Sequence, residues 1–147
     1  MVILCDVNVL VYGFHEDSPD HPRYTRWLRE MVGSDLALGV SELVLSGVIR
    51  IATHPRIFDR PAPVEEAVAF VEALQSAPNC VTVRPGPRHW DIFSRLCLQT
   101  EARGGAVADA YHAAFAIESG SQWITADRGF ARFPGLSWRH PFADSVA

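Results

Sequence analysis

The chain opens on four apolar residues, Val2-Ile3-Leu4-Cys5, that run straight into Asp6. An apolar run without alternation predicts a strand buried on both faces, as found inside parallel sheets. Asp6 then stands at its carboxyl end, where open α/β sheets bind ligands. Val7 to Tyr12 follows without a break, so the chain turns there into a helix. Ser18-Pro19-Asp20-His21-Pro22 is a turn and helix-start signal. Tyr24, Trp27, Leu28 and Met31 fall at helical spacing, and Gly33 stops that helix. Leu36-Ala37-Leu38 predicts a second strand. Ser41 is a good N-cap for a helix reaching Thr53, with Val44, Gly47, Val48 and Ile51 as its apolar stripe. From Thr53 to Pro63 the chain is a loop with three prolines and with Arg50, Arg56 and Arg60 close by. Such a loop touches a polyanion, covers a site, or only connects.

Val64 to Ser76 predicts an amphipathic helix, with Val64, Ala67, Val68, Val71 and Leu74 on one side. Val81-Thr82-Val83 is the third strand, and Pro85-Gly86-Pro87 breaks the chain after it. Trp90, Phe93, Leu96 and Cys97 mark a helix ending near Gly104-Gly105. Val107 to Ser119 has almost no polar face, yet Asp109 stands in its first turn. Gln122 to Thr125 is the fourth strand, and Asp127 follows within two residues. Phe130 and Phe133 pack a short helix, and Leu136 to Arg139 is a candidate fifth strand. Short strands alternating with helices imply parallel βαβ units. The expected architecture is an α/β sandwich in one domain over residues 1–147. Its central sheet has four or five mainly parallel strands, with Asp6 on a central one.

The 147 residues are 48% hydrophobic, enough for a sizeable core. No apolar run approaches the roughly 20 residues of a membrane span. The N-terminus lacks a basic segment followed by a long apolar one, so no signal peptide is expected, which favours the cytoplasm. Cys5, Cys80 and Cys97 are odd in number and lack metal-ligand spacing; they read as free thiols in a reducing compartment. The formal net charge of −4 argues mildly against a general electrostatic nucleic-acid binder. All thirteen basic residues are Arg. The absence of Lys excludes the P-loop and Schiff-base enzymes, while Arg remains well suited to gripping phosphate.

Four acids share one property. Asp6 and Asp127 follow strands, and Glu42 and Asp109 open helices. In a parallel sheet with right-handed crossovers, those places lie at one edge. The four carboxylates should converge on one crevice, where mutual repulsion should raise the pKa of at least one. Singly, each has a plainer reading: Asp6 as a helix cap, Glu42 as a favourable acid at a helix dipole. Together they are tolerable if they bind cations or if some are protonated. Oxygen ligands without clustered His or Cys select Mg²⁺ or Mn²⁺ over zinc. His112, one turn after Asp109, reads as a partly buried neighbour rather than a ligand. Hydrolysis of a phosphodiester is the natural chemistry of such a site.

At these residues the chain resembles the PIN-domain family. Asp6-Val7-Asn8-Val9-Leu10-Val11-Tyr12 is similar to its opening motif, and Ser41-Glu42-Leu43-Val44 to its second acidic position. Asp109-Ala110-Tyr111-His112-Ala113-Ala114 resembles the third, and Thr125-Ala126-Asp127-Arg128-Gly129-Phe130 the last. The length resembles the VapC toxins of type II toxin–antitoxin pairs. The resemblance implies a PIN-like three-layer α/β/α sandwich and a Mg²⁺- or Mn²⁺-dependent endoribonuclease acting on RNA. It also implies a homodimer, for which Trp27, Trp90 and Phe93 offer apolar surface, and a small VapB-like antitoxin. Asp6, Glu42, Asp109 and Asp127 would be the catalytic, metal-holding acids. Asn8 and Thr125 would orient carboxylates or water. No catalytic motif carries over between Thr53 and Arg103. Two rivals remain: a phosphatase of the haloacid dehalogenase type, whose second Asp is here Asn8, and a non-catalytic PIN-like module binding RNA or protein.

Overall fold

The structure, a computed structural model, describes residues 2–143. Met1 and residues 144–147 of the expected single domain lie outside the described residues. The elements run β1 (Val2–Cys5), α1 (Val7–Phe14), α2 (His21–Val32), β2 (Ala37–Val40), α3 (Glu42–Ala52) and α4 (Val64–Gln75). There follow β3 (Cys80–Thr82), α5 (His89–Thr100), α6 (Gly105–Ser119), β4 (Gln122–Ile124), a 3-10 helix (Arg128–Arg132) and β5 (Trp138–Arg139). The five strands pair in the order β3-β2-β1-β4-β5, parallel throughout. From β1 the chain steps outward to β2 and β3, then crosses back to β4 on the other side of β1. With right-handed crossovers, this reversal puts α1 to α4 on one face and α5 with α6 on the other.

The expected elements are all present, with shifted ends. The second strand is Ala37–Val40 rather than 36–38, because Val40 and Leu38 are both fully buried beside β1. The fifth helix stops at Thr100, well before Gly104, since Glu101 turns left-handed at φ 51°. The sixth starts earlier than Val107, at Gly105, behind Gly104 at φ 54°. A left-handed residue interrupts helical hydrogen bonding, and glycine adopts it at little cost.

Close approach sets where the functional ends of the elements lie. A Cβ at Gly47 would meet Val7 Cγ2 at 2.9 Å, so α3 can pack tightly on the first turn of α1. A Cβ at Gly39 would stand 2.8 Å from Val2 Cγ1, which leaves that space on β2 to side chains of β1. The loop at residues 53–63 does not cover the acids. His15 Nε2 pairs with the Arg60 carbonyl at 2.9 Å, and the His15 ring stacks on Phe58 at 3.7 Å. Those contacts hold the loop beyond the last turn of α1, about 12 Å of helix away from Asp6. Its Arg60 is engaged with Asp17 at 2.6 Å.

On the other face, His112 lies buried in α6 with its ring stacked on Trp123 of β4. Burial lowers its pKa to about 4. The unfolded chain regains a proton near pH 6.5, so the folded state loses stability as pH falls from 6.5 towards 4. His112→Phe keeps an aromatic ring against Trp123 and removes that proton. The stability difference between the two proteins should therefore move in favour of the variant between pH 7 and 4.5, by on the order of 2–3 kcal/mol. Urea melts at several pH values check this; parallel pH curves would contradict it.

Candidate active site

The central strand β1 carries its acid to the sheet's carboxyl edge. It lies between β2 and β4, where strand order reverses, and a crevice opens outside such a switch point. Asp6 is the N-cap of α1 and is only 8% exposed. Its own N–H donates to the Ile124 carbonyl at 2.9 Å, tying the turn to β4. Its Oδ1 accepts from the Val7 N–H at 2.7 Å, and its Oδ2 from the Thr125 hydroxyl at 2.6 Å. The capping role and the crevice role thus belong to the same side chain.

Thr125 is the hub of the site. It is fully buried after β4, and its Oγ1 also accepts from the Asp127 N–H at 3.0 Å. The Asn8 amide donates to the same oxygen at 3.5 Å, and Asn8 Oδ1 accepts from the Ala126 N–H at 3.3 Å. One hydroxyl therefore connects β1, α1 and the turn after β4. Asp127 caps the 3-10 helix, its Oδ1 accepting from the Gly129 N–H at 2.8 Å.

The Asp6 carboxyl has its pKa pushed up to about 6. Burial is the main cause, opposed by the bonds from Thr125 and Val7; the charges of Asp109 and Asp127 raise it further. The expected elevation is present, but its cause differs from the expected one. Loss of water around a nearly closed carboxylate outweighs repulsion from its neighbours. Asp109 is also raised, again mainly by burial, while Arg132 pulls it back.

The four acids are not gathered into one ligand shell. Among the described residues, no three His, Cys, Asp or Glu side chains are grouped to hold a metal ion. Asp6, Asp109 and Asp127 are close enough for their charges to act on Asp6. Glu42 is drawn outward to Arg84 at 3.5 Å, with both side chains 68% exposed. It borders a groove of about 590 Å³ floored by Phe93, Val107, Ala108, Tyr111 and Phe115. Asp109 is held by Arg132 Nη2 at 2.7 Å. Each separated acid has an arginine where a cation would otherwise be shared. Sequence reasoning missed Arg84 and Arg132. Arg132 stands two positions beyond the Thr125-Ala126-Asp127-Arg128-Gly129-Phe130 motif, but that spacing does not point to Asp109.

The PIN domain family model matches residues 3–136. VapC ribonuclease Mb2897 of Mycobacterium bovis is 44% identical over 140 residues, covering 95% of each chain. Ribonuclease VapC31 of Mycobacterium tuberculosis is 36% identical over 140 residues, covering 95% of this chain and 99% of its own. In fold, the chain is similar to VapBC-1 from nontypeable Haemophilus influenzae, with TM-score 0.69 at 17% identity over 97% of this chain and 100% of that one. It is also similar to Mycobacterium tuberculosis VapC20, described as a sarcin-ricin loop cleaving toxin. There the TM-score is 0.64 at 16% identity, over 92% and 98% of the two chains. The haloacid dehalogenase reading gives way to these relationships. The chain belongs to the PIN-domain family and, within it, to the VapC ribonucleases.

Proposed function

We propose that this ribonuclease is a Mg²⁺- or Mn²⁺-dependent endoribonuclease, the toxin of a type II toxin–antitoxin pair, silenced by a VapB-like antitoxin. The observation that carries the reading is Asp6: a nearly buried acid on the central strand, at the switch point, within electrostatic reach of Asp109 and Asp127. Its donor chemistry fits a hard cation. The candidate donors are carboxylate oxygens. The adjacent Cys5 thiol is buried with its pKa pushed upward, and His112 is stacked against Trp123. Oxygen-only sites suit Mg²⁺ and Mn²⁺. Asp6, Glu42, Asp109 and Asp127 would hold the ion directly or through water.

Such an ion would supply a nucleophilic water at neutral pH and charge for the phosphoryl oxygens. The chain's own part is to preorganise the acids. Val7 and Thr125 each take one lone pair of Asp6 and leave others for a cation. Thr125 and Asn8 fix the turn after β4, and with it Asp127. Single-stranded RNA, with its unstacked bases, is the form most readily read beside such a crevice. A non-catalytic module would use Asp6 only as the cap of α1 and would show no metal-dependent cleavage.

Work in the cytoplasm is consistent with three free cysteines, and no helix among the described residues is long and apolar enough to cross a membrane. Homodimerisation is supported by α5, which leaves Trp90 66% and Leu98 81% exposed. Trp27, expected to contribute, is instead buried by its own chain.

Asp6→Asn should lower metal-dependent RNA cleavage on the order of 10²-fold or more, as loss of a preorganised electrostatic contact does. At pH 7 its melting temperature should hold or rise, because a buried charge is removed. Cleavage undiminished at low Mg²⁺ would sink the assignment. Thr125→Val keeps the shape of the side chain but leaves Asp6 Oδ2 and the Asp127 N–H without a partner. It should cost about 1–3 kcal/mol and lower cleavage together, while Thr125→Ser restores both. Equal behaviour of the two variants would remove Thr125 from the site. Light scattering should give twice the 16.3 kDa chain mass, with Trp90→Ala shifting it towards monomer. A wild-type monomer at tens of micromolar, an order-of-magnitude threshold for a transient interface, would contradict the dimer.

A further inference from the structure

The acid crevice carries a cation of its own. Arg132 Nη2 donates to Asp109 Oδ2 at 2.7 Å, and Nη1 donates to the Gly129 carbonyl at 2.9 Å. The guanidinium carbon lies 4.8 Å from the centre of the Phe133 ring. Three contacts thus fix a side chain that remains partly open to solvent. Gly129 is part of the arrangement. A Cβ there would stand 2.7 Å from Arg132 Nη1 and 2.9 Å from Asp127 Oδ1. The arginine therefore passes directly over the turn that Asp127 caps, in space that a side chain at position 129 would contest.

Resting on the metal-dependent reading above, we propose that Arg132 is a resident counter-cation of the site: it holds Asp109 in the metal-free protein and yields it when a divalent ion enters. Two physical reasons set the occupants in competition. Arg132 Nη2 occupies one lone pair of Asp109 Oδ2 at 2.7 Å and neutralises the carboxylate that would attract the ion. A guanidinium left within a few ångströms of a divalent cation is also repelled by it. Arginine stays charged at every relevant pH, so the competition is constant, and its planar fork spans Asp109 and the Gly129 carbonyl at once. Arg84 makes a longer contact to Glu42, with both partners largely exposed, and does not share the role. Arg132 thereby sets the affinity of the site for its ion. It is a positioning residue that acts through Asp109.

The test is calorimetric titration of the full chain with Mn²⁺, without RNA, at neutral pH. Wild type is compared with Arg132→Gln, Arg132→Lys and Asp109→Asn, and circular dichroism confirms that each is folded. Arg132→Gln should bind Mn²⁺ about two- to fivefold more tightly than wild type, the scale of one partly exposed charge contact. Arg132→Lys should fall between them, and Asp109→Asn should bind more weakly than wild type. Without metal, Arg132→Gln should melt lower than wild type, and Mn²⁺ should raise its melting temperature by more. A merely structural arginine would lower the melting temperature and leave the affinity unchanged or weaker. That result in Arg132→Gln or in Arg132→Lys overturns the proposal while wild-type binding keeps the metal-dependent reading. Absence of both heat and melting shift in all four proteins at millimolar Mn²⁺ overturns the proposal and that reading together.

Discussion

A carboxylate closed off from water at the middle of a sheet is a costly thing to fold around. Burial lifts the Asp6 pKa to about 6, and the bonds from Thr125 and Val7 oppose the rise. The Thr125 hydroxyl is the decisive partner because it serves several groups. It donates once, to Asp6, and accepts from the Asp127 N–H and the Asn8 amide. A buried hydroxyl has one proton and two lone pairs, so it is fully used. That saturation fixes its rotation, and with it the direction in which Asp6 and the turn after β4 must face. The parallel pairing of β1 with β4 brings the two ends together, and the hydroxyl locks them in register.

Charge elsewhere in the crevice follows from the same shortage of water. Asp109 is half-buried and has Arg132; Glu42 is exposed and has a looser partner in Arg84. The degree of burial thus ranks the partnerships, since an ion pair strengthens as solvent screening falls. Asp127 is satisfied locally, through the Gly129 N–H. These different solutions explain why the acids share an edge of the sheet without sharing a ligand shell.

The fold was largely legible because it depends on hydrophobic period. Residues 2–5 contain no polar position, and that is what a strand with neighbours on both sides requires. The parallel alternation followed from strand and helix lengths alone. Element ends were less legible, because they depend on left-handed residues such as Glu101, whose side chain gives no such warning. The candidate acids were visible for a topological reason: strand ends and helix starts meet at one edge. Their partners were not. Arg132 reaches Asp109 across 23 positions of sequence, and nothing in local spacing encodes that contact. Trp27 failed as an interface residue for a different reason. Trp27 lies on the same helical stripe as Tyr24 and Leu28, and all three are buried by their own chain.

Net charge adds a last constraint. A chain of net charge −4 with acids at its crevice repels a polyanion. Arg132, beside these acids, is held by Asp109 at 2.7 Å and is not free to meet phosphate, whereas Arg84 makes only a longer, exposed contact to Glu42. Anything that neutralises the carboxylates changes both terms at once. It removes negative charge from the crevice, and it frees the Arg132 guanidinium from Asp109. A divalent cation and an RNA backbone should then bind with positive coupling, each favouring the other by the same factor, as linkage demands. On the metal-dependent reading proposed above, the acidity of the chain, which first argued against a nucleic-acid partner, would make the binding of such a partner depend on the ion.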